Sequence, residues 1–341
     1  MKFFHLSHTD LDGYSAQIVT KAYFDNITFF NSNYGKEIDE KFNQIVNLLD
    51  DEKSIILITD LNLTPKQCED FENLIKDKNT KLFLLDHHQS GLECSQKFKW
   101  YYLDNSRCAT LITYDFFASI YGQKENLREY CKMVNAVDIW LKDDKYFEFG
   151  KVCLNLVANS KEINKVMFQD KSNEYIFFLL RKANEYMWSQ NAHINLDDDT
   201  HKIKKEYFFD TTNDTLSNMI SNFIVKNLSN QKEKFIINYR EFKGILTHNI
   251  GNTSVIGNDF LVTNPEFDFF MDVSSKKTIS LRANNKIDVS AMAAELFNGG
   301  GHKNASGGLF AAFKDSFDYE NIKNQIKDHI LKKTTQNKEE K

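Results

Sequence analysis

Two short, nearly continuous apolar runs constrain the fold of this chain more than any other feature of its sequence. Residues 54–59 read SIILIT and residues 81–85 read KLFLL. When consecutive side chains are apolar, the strand must be buried on both faces, as in a parallel sheet that helices cover on both sides. Between the runs, Thr64 and Pro65 are a typical N-cap and first helical position, and they predict a helix over residues 65–77. The order strand, helix, strand predicts βαβ units.

The same alternation extends on both sides of these runs. Residues 2–6 and 27–30 predict short strands, and residues 14–24 and 38–49 repeat apolar residues at helical spacing. Residues 109–187 are predicted to be largely helical. The N-terminal part is therefore expected to be an α/β domain with a mostly parallel sheet flanked by helices.

The C-terminal part predicts a second, smaller α/β domain. Its predicted strands cover residues 234–239, 244–247, 267–273, 278–282 and 309–313, and its helices cover residues 215–228, 289–297 and 322–332. The length of 341 residues also favours two domains, at about 100–200 residues each. The expected division is a catalytic domain over residues 1–188, a helical connector over 189–230, the smaller domain over 231–332 and a disordered tail over 333–341.

The charge balance limits the kind of partner that the chain can bind. It has 43 basic and 48 acidic residues, which gives a formal net charge of −5. Proteins that coat long nucleic acids usually carry a basic excess, so binding of long nucleic acids is not expected. The balance leaves room for a short anionic substrate that a few residues hold. Formation of a homodimer stays open.

Cysteine usage and the lack of long apolar segments indicate the compartment. The five cysteines include no CxxC pair, and their odd number argues against a disulfide framework or a Cys-rich zinc site. The first residues contain no apolar signal-peptide core, and no stretch approaches the ~20 apolar residues of a membrane-spanning helix. A cytoplasmic protein without a membrane partner is therefore expected.

Acidic and histidine side chains follow three of the predicted strands, at the point where each strand ends. They are His8, Asp10 and Asp12 after the first strand, Asp60 after SIILIT, and Asp86, His87 and His88 after KLFLL. Ligands bind at the carboxyl ends of strands in an open parallel sheet, so these groups are expected to converge if the strands are neighbours. Taken singly, each motif could instead cap a helix or form a turn.

This set of side chains is typical of a divalent metal site. Aspartate and histidine without cysteine suit Mn, Mg, Fe or Zn. Several carboxylates packed together repel one another unless cations neutralise them. Two divalent ions about 3.5–4 Å apart would do so, and would hold a bridging water deprotonated near neutral pH. The three motifs together therefore predict a two-metal site.

The motifs that carry these residues resemble those of a known family. SHTDLDG, ITDLN and LLDHHQSG are similar to the first three motifs of the DHH phosphoesterase superfamily. Asp138, in VNAVDIW, matches the fourth motif by order and context, and GGGHKNASGG resembles the signature loop of the companion DHHA1 domain. One residue separates His8 from Asp10, which resembles nanoRNase B-type oligoribonucleases rather than pyrophosphatases or nanoRNase A-like members. The resemblance covers about residues 1–330.

The resemblance implies a role for each motif residue. It implies one metal ion at His8 and Asp10, a second at Asp12, His87 and Asp138, and Asp60 as the bridge between the two. It implies that Asp86 orients His87, as a carboxylate behind a metal-bound imidazole usually does, and that His88 faces the scissile phosphate as a donor. Asp60, Asp86 and His88 are thus the expected catalytic residues. Mn²⁺ is the expected metal, with Mg²⁺ as the alternative.

Two loops are expected to contact the substrate. The residues concerned are Arg282, Gly299, Gly300, Gly301 and His302 in the C-terminal part, and Ser106 and Arg107 near the metals. Glycines expose backbone N–H groups and let a phosphate approach closely, and a guanidinium suits bidentate phosphate contact. For the Ser106-Arg107 pair, capping of the following helix is an equally good interpretation.

The expected function is that of a metal-dependent phosphodiesterase of the exoribonuclease type. It would hydrolyse short RNA or DNA oligonucleotides to nucleoside 5′-monophosphates with a water that two metal ions activate. Three alternatives stay open: a cyclic or linear dinucleotide phosphodiesterase, a 3′-phosphoadenosine 5′-phosphate phosphatase, and an inactive nucleotide sensor. The preference for RNA or DNA is undecided, because it depends on how the ribose 2′-hydroxyl is held.

Overall fold

The structure, a computed structural model, describes residues 1–339. The chain forms two compact units. The first unit comprises Met1–Ser160 and Asn173–Ile203, and the second comprises Lys161–Ser172 and the chain from Lys204 onward. The segment predicted as a connector, residues 189–230, is divided between the two units.

The first unit is built on a five-stranded sheet in which every strand is parallel to its neighbours. The strands are β1 (Lys2–Ser7), β2 (Ile27–Asn31), β3 (Ser54–Thr59), β4 (Thr80–Asp86) and β5 (Tyr101–Leu103). Their order in the sheet is β2-β1-β3-β4-β5. The run SIILIT forms the central strand β3, where only Ile55 is partly exposed. The predicted α/β class with a mostly parallel sheet is confirmed.

Helices cover both faces of this sheet. The helices of the first unit are α1 (Leu11–Tyr23), α2 (Lys36–Asn47), α3 (Pro65–Ile75), α4 (Leu92–Lys97), α5 (Ala109–Tyr121), α6 (Glu125–Asp138) and α7 (Phe147–Ala158). Helices α8 (Gln169–Tyr186) and α9 (Ala192–Phe208) contribute residues to both units. Helix α3 begins where its sequence predicts, because Thr64 and Gln67 cap each other's backbone N–H groups at 3.2 and 3.0 Å. On one face, the rings of Phe42 and Phe71 stack at 3.7 Å within the apolar core. On the other face, α1 packs against α5 and α6.

The strand order creates a crevice at a defined edge of the sheet. From β1 the chain passes to β2 on one side, and β3, β4 and β5 then follow on the other side. Strands β1 and β3 are therefore neighbours whose connections leave in opposite directions. In open α/β sheets, ligands bind at the carboxyl ends of the strands at such a switch point.

The second unit contains a six-stranded mixed sheet in the order β10-β11-β9-β8-β7-β6. Its strands are β6 (Ile236–Tyr239), β7 (Phe242–His248), β8 (Phe269–Val273), β9 (Thr278–Ala283), β10 (Gly300–His302) and β11 (Ala305–Leu309). Its helices are α10 (Leu216–Asn230), α11 (Lys232–Phe235), α12 (Thr253–Thr263), α13 (Val289–Phe297) and α14 (Tyr319–Glu339). The strands β7 and β8 are parallel, and the other pairs are antiparallel. The core of this unit lies between the sheet and the helices α13 and α14.

Three predicted segments differ from the structure. The strand predicted over residues 309–313 is wrong, because the strand is β11, and the buried Phe310 and Phe313 belong to the turn after it. The polar stretch 189–200 is mostly helical, since Leu196 and Ile203 bury one side of α9. Helix α14 continues to Glu339, so residues 333–339 are helical, and residues 340–341 of the predicted tail lie outside the described residues. Within residues 1–339, no helix combines the length and the apolar character that a membrane crossing requires.

Candidate metal centre

The first motif folds tightly between β1 and α1. Asp10 is the N-cap of α1, and its Oδ1 accepts a hydrogen bond from the N–H of Gly13 at 3.0 Å. A Cβ at position 13 would lie 2.4 Å from the carbonyl oxygen of His8, so this close approach requires glycine. The loop places His8 Nδ1 2.9 Å from Asp10 Oδ2.

Asp12 is buried at the start of α1, where it contacts the start of α5. Its Oδ2 accepts a hydrogen bond from the N–H of Ala109, and its Oδ1 accepts one from the N–H of Thr110, both at 2.8 Å. The first N–H groups of a helix lack partners within the helix and carry partial positive charge, so they stabilise a carboxylate. The same Oδ2 atom lies 3.8 Å from His87 Nε2.

Asp60 follows β3 directly and lies at the centre of the cluster of six motif residues. These six residues are His8, Asp10, Asp12, Asp60, His87 and Asp138. The backbone φ of Asp60 is 56°, a left-handed conformation that Asp and Asn tolerate better than most residues. Its Oδ2 lies 3.6 Å from His8 Nδ1, and its Oδ1 lies 3.4 Å from His87 Nε2. With only 2% of its side chain exposed, Asp60 has one oxygen toward each histidine. That position matches the bridging role that the sequence motif implies.

His87 completes a second group of ligand atoms. Its Nε2 lies 3.8 Å from Asp12 Oδ2, 3.4 Å from Asp60 Oδ1 and 3.6 Å from Asp138 Oδ2. These separations are too long for hydrogen bonds. Two ligand atoms that each lie about 2.0–2.2 Å from one ion are about 3–3.5 Å apart. The spacing around His87 is therefore close to that of a shared metal ion.

The six motif residues fit two divalent ions. Asp60 Oδ2 is buried and has no hydrogen-bond partner among the described residues, which is costly unless a ligand satisfies it. Ligand atoms of His8, Asp10 and Asp60 lie within 4.8 Å of one another. The oxygen and imidazole nitrogen ligands suit Mn, Mg, Fe or Zn. His8, Asp10 and Asp60 would hold one ion, and Asp12, Asp60, His87 and Asp138 the other.

Cys108 also lies beside Asp12 and Asp138 but is a poor ligand for such an ion. Its thiol is within 4.8 Å of both carboxylates and is fully buried. Burial and the nearby Asp12 raise the pKa of the Cys108 thiol well above its ordinary value. Thiolate is a soft ligand, whereas Mn²⁺ and Mg²⁺ prefer oxygen ligands, so Cys108 is a poorer ligand for these ions than the carboxylates beside it.

Without cations, protons compensate the negative charge of the cluster. Burial, together with Asp12 and Asp10, raises the pKa of Asp60 well above its ordinary value. Burial and Asp12 raise the pKa of Asp138 to about 9. Burial alone would lower the pKa of His8, but the Asp10 and Asp60 carboxylates outweigh it and raise that pKa to about 10. Binding of a divalent ion is therefore expected to release protons.

The raised pKa of Asp138 predicts a pH dependence of stability for the metal-free protein. Between the ordinary pKa near 4 and the folded value of about 9, the folded state holds a proton that the unfolded state has lost. The free energy of unfolding therefore falls as pH rises across this range. In chelator, we expect the wild-type protein to lose more stability between pH 6 and pH 9 than Asp138→Asn, as measured by urea unfolding.

Asp143→Asn is the matched control, because Asp143 is an exposed aspartate in the segment that follows α6. It should keep the wild-type pH dependence. If Asp138→Asn also shows the wild-type pH dependence, Asp138 does not hold the proton in the folded protein.

A chain of hydrogen bonds fixes His88, and it corrects the expected role of Asp86. Asp86 Oδ1 lies 2.7 Å from His88 Nδ1, and Asp86 Oδ2 accepts a hydrogen bond from the Tyr101 hydroxyl at 2.7 Å. The Tyr34 hydroxyl lies 3.0 Å from His88 Nε2. Asp86 therefore orients His88, its hydrogen-bond partner, and makes no hydrogen bond to His87 among the described residues.

The sequence analysis missed both tyrosines of this chain. Tyr101 is on β5, a strand that no apolar run predicts. A Cβ at position 91 would lie 2.1 Å from the Tyr101 hydroxyl, so Gly91 leaves room for the tyrosine, but this contact is visible only in the folded chain. Tyr34 follows β2, and its ring lies 4.6 Å from that of His8. Nothing in the local sequence distinguishes Tyr34 from other tyrosines.

Ser106 and Arg107 make local contacts beside the cluster. The Ser106 hydroxyl donates to Asp104 Oδ1 at 2.6 Å, and Arg107 Nε donates to Asp104 Oδ2 at 2.7 Å. Arg107 also pairs with Asp115. Neither side chain caps the following helix, because the N–H groups of Ala109 and Thr110 at the start of α5 bond to Asp12. The capping interpretation is therefore wrong, and contact with a phosphate stays a prediction.

The glycine-rich segment of the second unit is a hairpin rather than an open loop. Strand β10 pairs with β11, and Cβ atoms at Gly299 and Gly301 would lie 2.0 and 2.7 Å from backbone oxygens of β11. These two glycines therefore serve packing within the hairpin. A Cβ at Gly300 would meet nothing within 4 Å, and His302 is exposed. Of this segment, Gly300 and His302 are open to a ligand.

Arg282 lies in the same sheet as the hairpin, opposite Ala305 of β11. Its Nη2 donates to the Ser254 hydroxyl at 2.7 Å, and its Nη1 donates to the carbonyl of Leu281 at 2.8 Å. A guanidinium has five N–H donors, so further donors are available to an anion.

Comparisons with known proteins identify one curated relative and one solved structure that are similar to nearly the whole chain. The 3′,5′-cyclic-nucleotide phosphodiesterase of Helicobacter pylori is 41% identical over 342 residues, which cover 96% of this chain and 98% of that protein. The crystal structure of an uncharacterized protein from Helicobacter pylori has a TM-score of 0.88 and 40% identity over 97% of this chain and 99% of that chain. An exopolyphosphatase-related protein from Bacteroides fragilis aligns at 14% identity with a TM-score of 0.31, values from which nothing follows for this chain. No protein-family model matches the chain.

Proposed function

This chain belongs to the family of the Helicobacter pylori 3′,5′-cyclic-nucleotide phosphodiesterase, and on that premise we propose that it hydrolyses nucleotide phosphodiesters at a centre of two divalent metal ions. The observation that carries the proposal is Asp60, which is buried with one oxygen 3.6 Å from His8 Nδ1 and the other 3.4 Å from His87 Nε2. Such a bridging carboxylate is what two neighbouring ions need. Mn²⁺ is the proposed metal and Mg²⁺ the alternative, because the ligands are oxygen and imidazole nitrogen.

Different residues of this chain have different proposed roles at the scissile phosphate. When bound, the ions would neutralise the carboxylates, polarise a phosphoryl oxygen and lower the pKa of a water molecule. Burial opposes protonation of His88, but the Asp86 carboxylate outweighs it and raises the pKa of His88. Protonated His88, held by Asp86 at Nδ1, would donate from Nε2 to the charge that develops on the phosphate. The Tyr34 hydroxyl, 3.0 Å from Nε2, marks the position that a phosphate oxygen would take.

We propose 3′,5′-cyclic nucleotides as the first substrate class to test, because the family relative carries that activity in its name. Short oligonucleotides and cyclic dinucleotides form the second class. The single residue between His8 and Asp10, which resembles nanoRNase B-type enzymes, favours them. All of these compounds contain a phosphodiester between ribose oxygens, so the same metal centre would serve each.

The second unit is proposed to bind the part of the substrate that does not react. Gly300 and His302 expose backbone and imidazole groups on the edge strand β10, and Arg282 has donors left for an anion. An exposed backbone without side chains suits close approach of a phosphate or ribose.

A substrate panel tests the proposal. With Mn²⁺, the full chain is incubated with 3′,5′-cyclic AMP and GMP, cyclic di-AMP, 5′-labelled RNA of two to twenty-four nucleotides, and 3′-phosphoadenosine 5′-phosphate. We expect a nucleoside monophosphate from the cyclic mononucleotides and none with Asp60→Asn. Preference for RNA of two to five nucleotides would show that short oligonucleotides are the substrate and would leave the proposed two-metal mechanism unchanged. No hydrolysis of any phosphodiester would overturn the proposal.

A further inference from the structure

The helices α1, α6 and α8 of the first unit line an open cavity of about 460 Å³, and none of the six motif residues lies in its lining. Sites for small organic ligands typically measure about 300–1,000 Å³, so this cavity has a suitable size. Its apolar lining includes Ile18, Leu127, Tyr130, Phe177 and Leu180. Tyr130 and Leu180 are fully buried, and the Phe177 ring is anchored by edge contacts with Tyr14 and Phe29. The floor is therefore a fixed aromatic and aliphatic surface.

The rim of this cavity carries polar groups of defined type. Lys21 and Arg181 lie on it, and their charged groups sit 5.7 Å from the Phe177 ring and 5.5 Å from the Phe178 ring. Glu174 also lines it, so the charged residues leave one net positive charge. Asn184 Oδ1 is buried and lacks a hydrogen-bond partner in the part of the chain that the structure describes. A buried acceptor without a partner is costly, and rotation of the Asn184 amide toward the cavity would let a donor on a ligand satisfy it.

We propose that this cavity binds a small aromatic anion that carries a hydrogen-bond donor on its ring. The apolar floor matches the ring, Asn184 accepts from the donor, and Lys21 with Arg181 pair with the negative group. Nucleoside monophosphates belong to this chemical class. The ligand would bind in this cavity and not at the candidate metal centre, because none of the six motif residues lines the cavity.

Two of the helices that line the cavity also carry candidate metal ligands. Helix α1 begins beside Asp10 and Asp12, and α6 ends at Asp138. The Tyr130 hydroxyl, at the cavity, hydrogen bonds to Ser15 of α1 at 2.7 Å and so ties the two helices together. A ligand between them would bias their relative position. We therefore infer that it changes the rate of phosphodiester hydrolysis, and this second step rests on the proposed function.

Binding of the fluorescent anion 1-anilinonaphthalene-8-sulfonate to the full chain tests the first step. We expect saturable binding at one site, with displacement by AMP. Ala22→Trp and Asn126→Trp fill the cavity from α1 and from the exposed start of α6, and each should weaken binding at least tenfold. Lys21→Glu should weaken it at least fivefold. The matched controls Leu74→Trp and Lys76→Glu change exposed residues near the end of α3 and should bind as the wild type does.

Two outcomes would overturn the site: no saturable binding, or unchanged binding in both folded tryptophan variants. The inferred effect of the ligand on the hydrolysis rate is measured with bis(p-nitrophenyl) phosphate as substrate, with and without 1-anilinonaphthalene-8-sulfonate. The rate should change at least twofold in the wild type and stay constant in Asn126→Trp. A constant wild-type rate would overturn the coupling. Saturable binding without any diester hydrolysis would instead show that the proposed function fails while the site stands.

Discussion

Replacing Asp60 with Asn is expected to lower phosphodiesterase activity by at least about 10³-fold without unfolding the protein. The carboxylate is the one group whose two oxygens face both histidines of the cluster, His8 and His87. Metal ions supply several kcal/mol of charge stabilisation, and about 4 kcal/mol corresponds to about 10³ in rate. Asn preserves the size of the side chain and tolerates the φ of 56°. The loss should therefore be one of chemistry and not of structure.

Two measurements separate this result from misfolding. In chelator, Asp60→Asn should unfold within about 1 kcal/mol of the wild type, because burial and the neighbouring carboxylates already disfavour the charged form of Asp60 and raise its pKa. Asp70→Asn makes the same chemical change in an exposed pair with Lys66 and should keep full activity. Wild-type activity in Asp60→Asn with Mn²⁺ would show that Asp60 does not hold the reacting centre together.

Replacing Asp12 with Asn is expected to cost both activity and stability, unlike the change at Asp60. Both Asp12 oxygens accept backbone N–H groups at the start of α5. An amide has one oxygen and one NH₂ group, so one buried N–H would lose its acceptor and face another donor. An unsatisfied buried group costs about 1–3 kcal/mol. Asp12→Asn should therefore lower the free energy of unfolding by about 2 kcal/mol in chelator and also weaken metal binding.

Urea unfolding in metal-free buffer measures this effect apart from the metal. Asp77→Asn, at an exposed position after α3, is the matched control and should unfold as the wild type does. If Asp12→Asn unfolds at the wild-type urea concentration, the two hydrogen bonds do not stabilise the start of α5. A stable Asp12→Asn protein without activity would leave Asp12 as a metal ligand only.

The sequence predicts this fold well where burial dictates residue type. The consecutive apolar residues of SIILIT predict a central strand covered on both faces. This run forms β3, the central strand of the first sheet. The strand-end residues converge as expected, because neighbouring parallel strands finish at one edge of the sheet. His8, Asp60 and His87 follow β1, β3 and β4, which are consecutive in the sheet.

The contacts that sequence reasoning missed all depend on packing between distant segments. Asp12 meets the start of α5 across 97 positions of the chain, and no local pattern encodes that distance. Asp86 hydrogen bonds to His88 with one oxygen and to Tyr101 with the other, and Tyr101 lies on a three-residue strand that no apolar run predicts. The strand β11 was missed because its small residues have low β-propensity, and pairing with β9 overrides that propensity.

Addition of Mn²⁺ to chelator-treated protein, with metal content and hydrolysis of 3′,5′-cyclic AMP followed together, tests the central claim most directly. We predict that the wild-type protein shows no turnover before Mn²⁺ is added, and that turnover rises as two ions bind to each chain. Asp60→Asn should bind fewer ions and stay inactive under the same conditions. Full turnover by protein shown to be free of metal would contradict the account. So would two bound ions per chain with no hydrolysis of this or any other nucleotide phosphodiester.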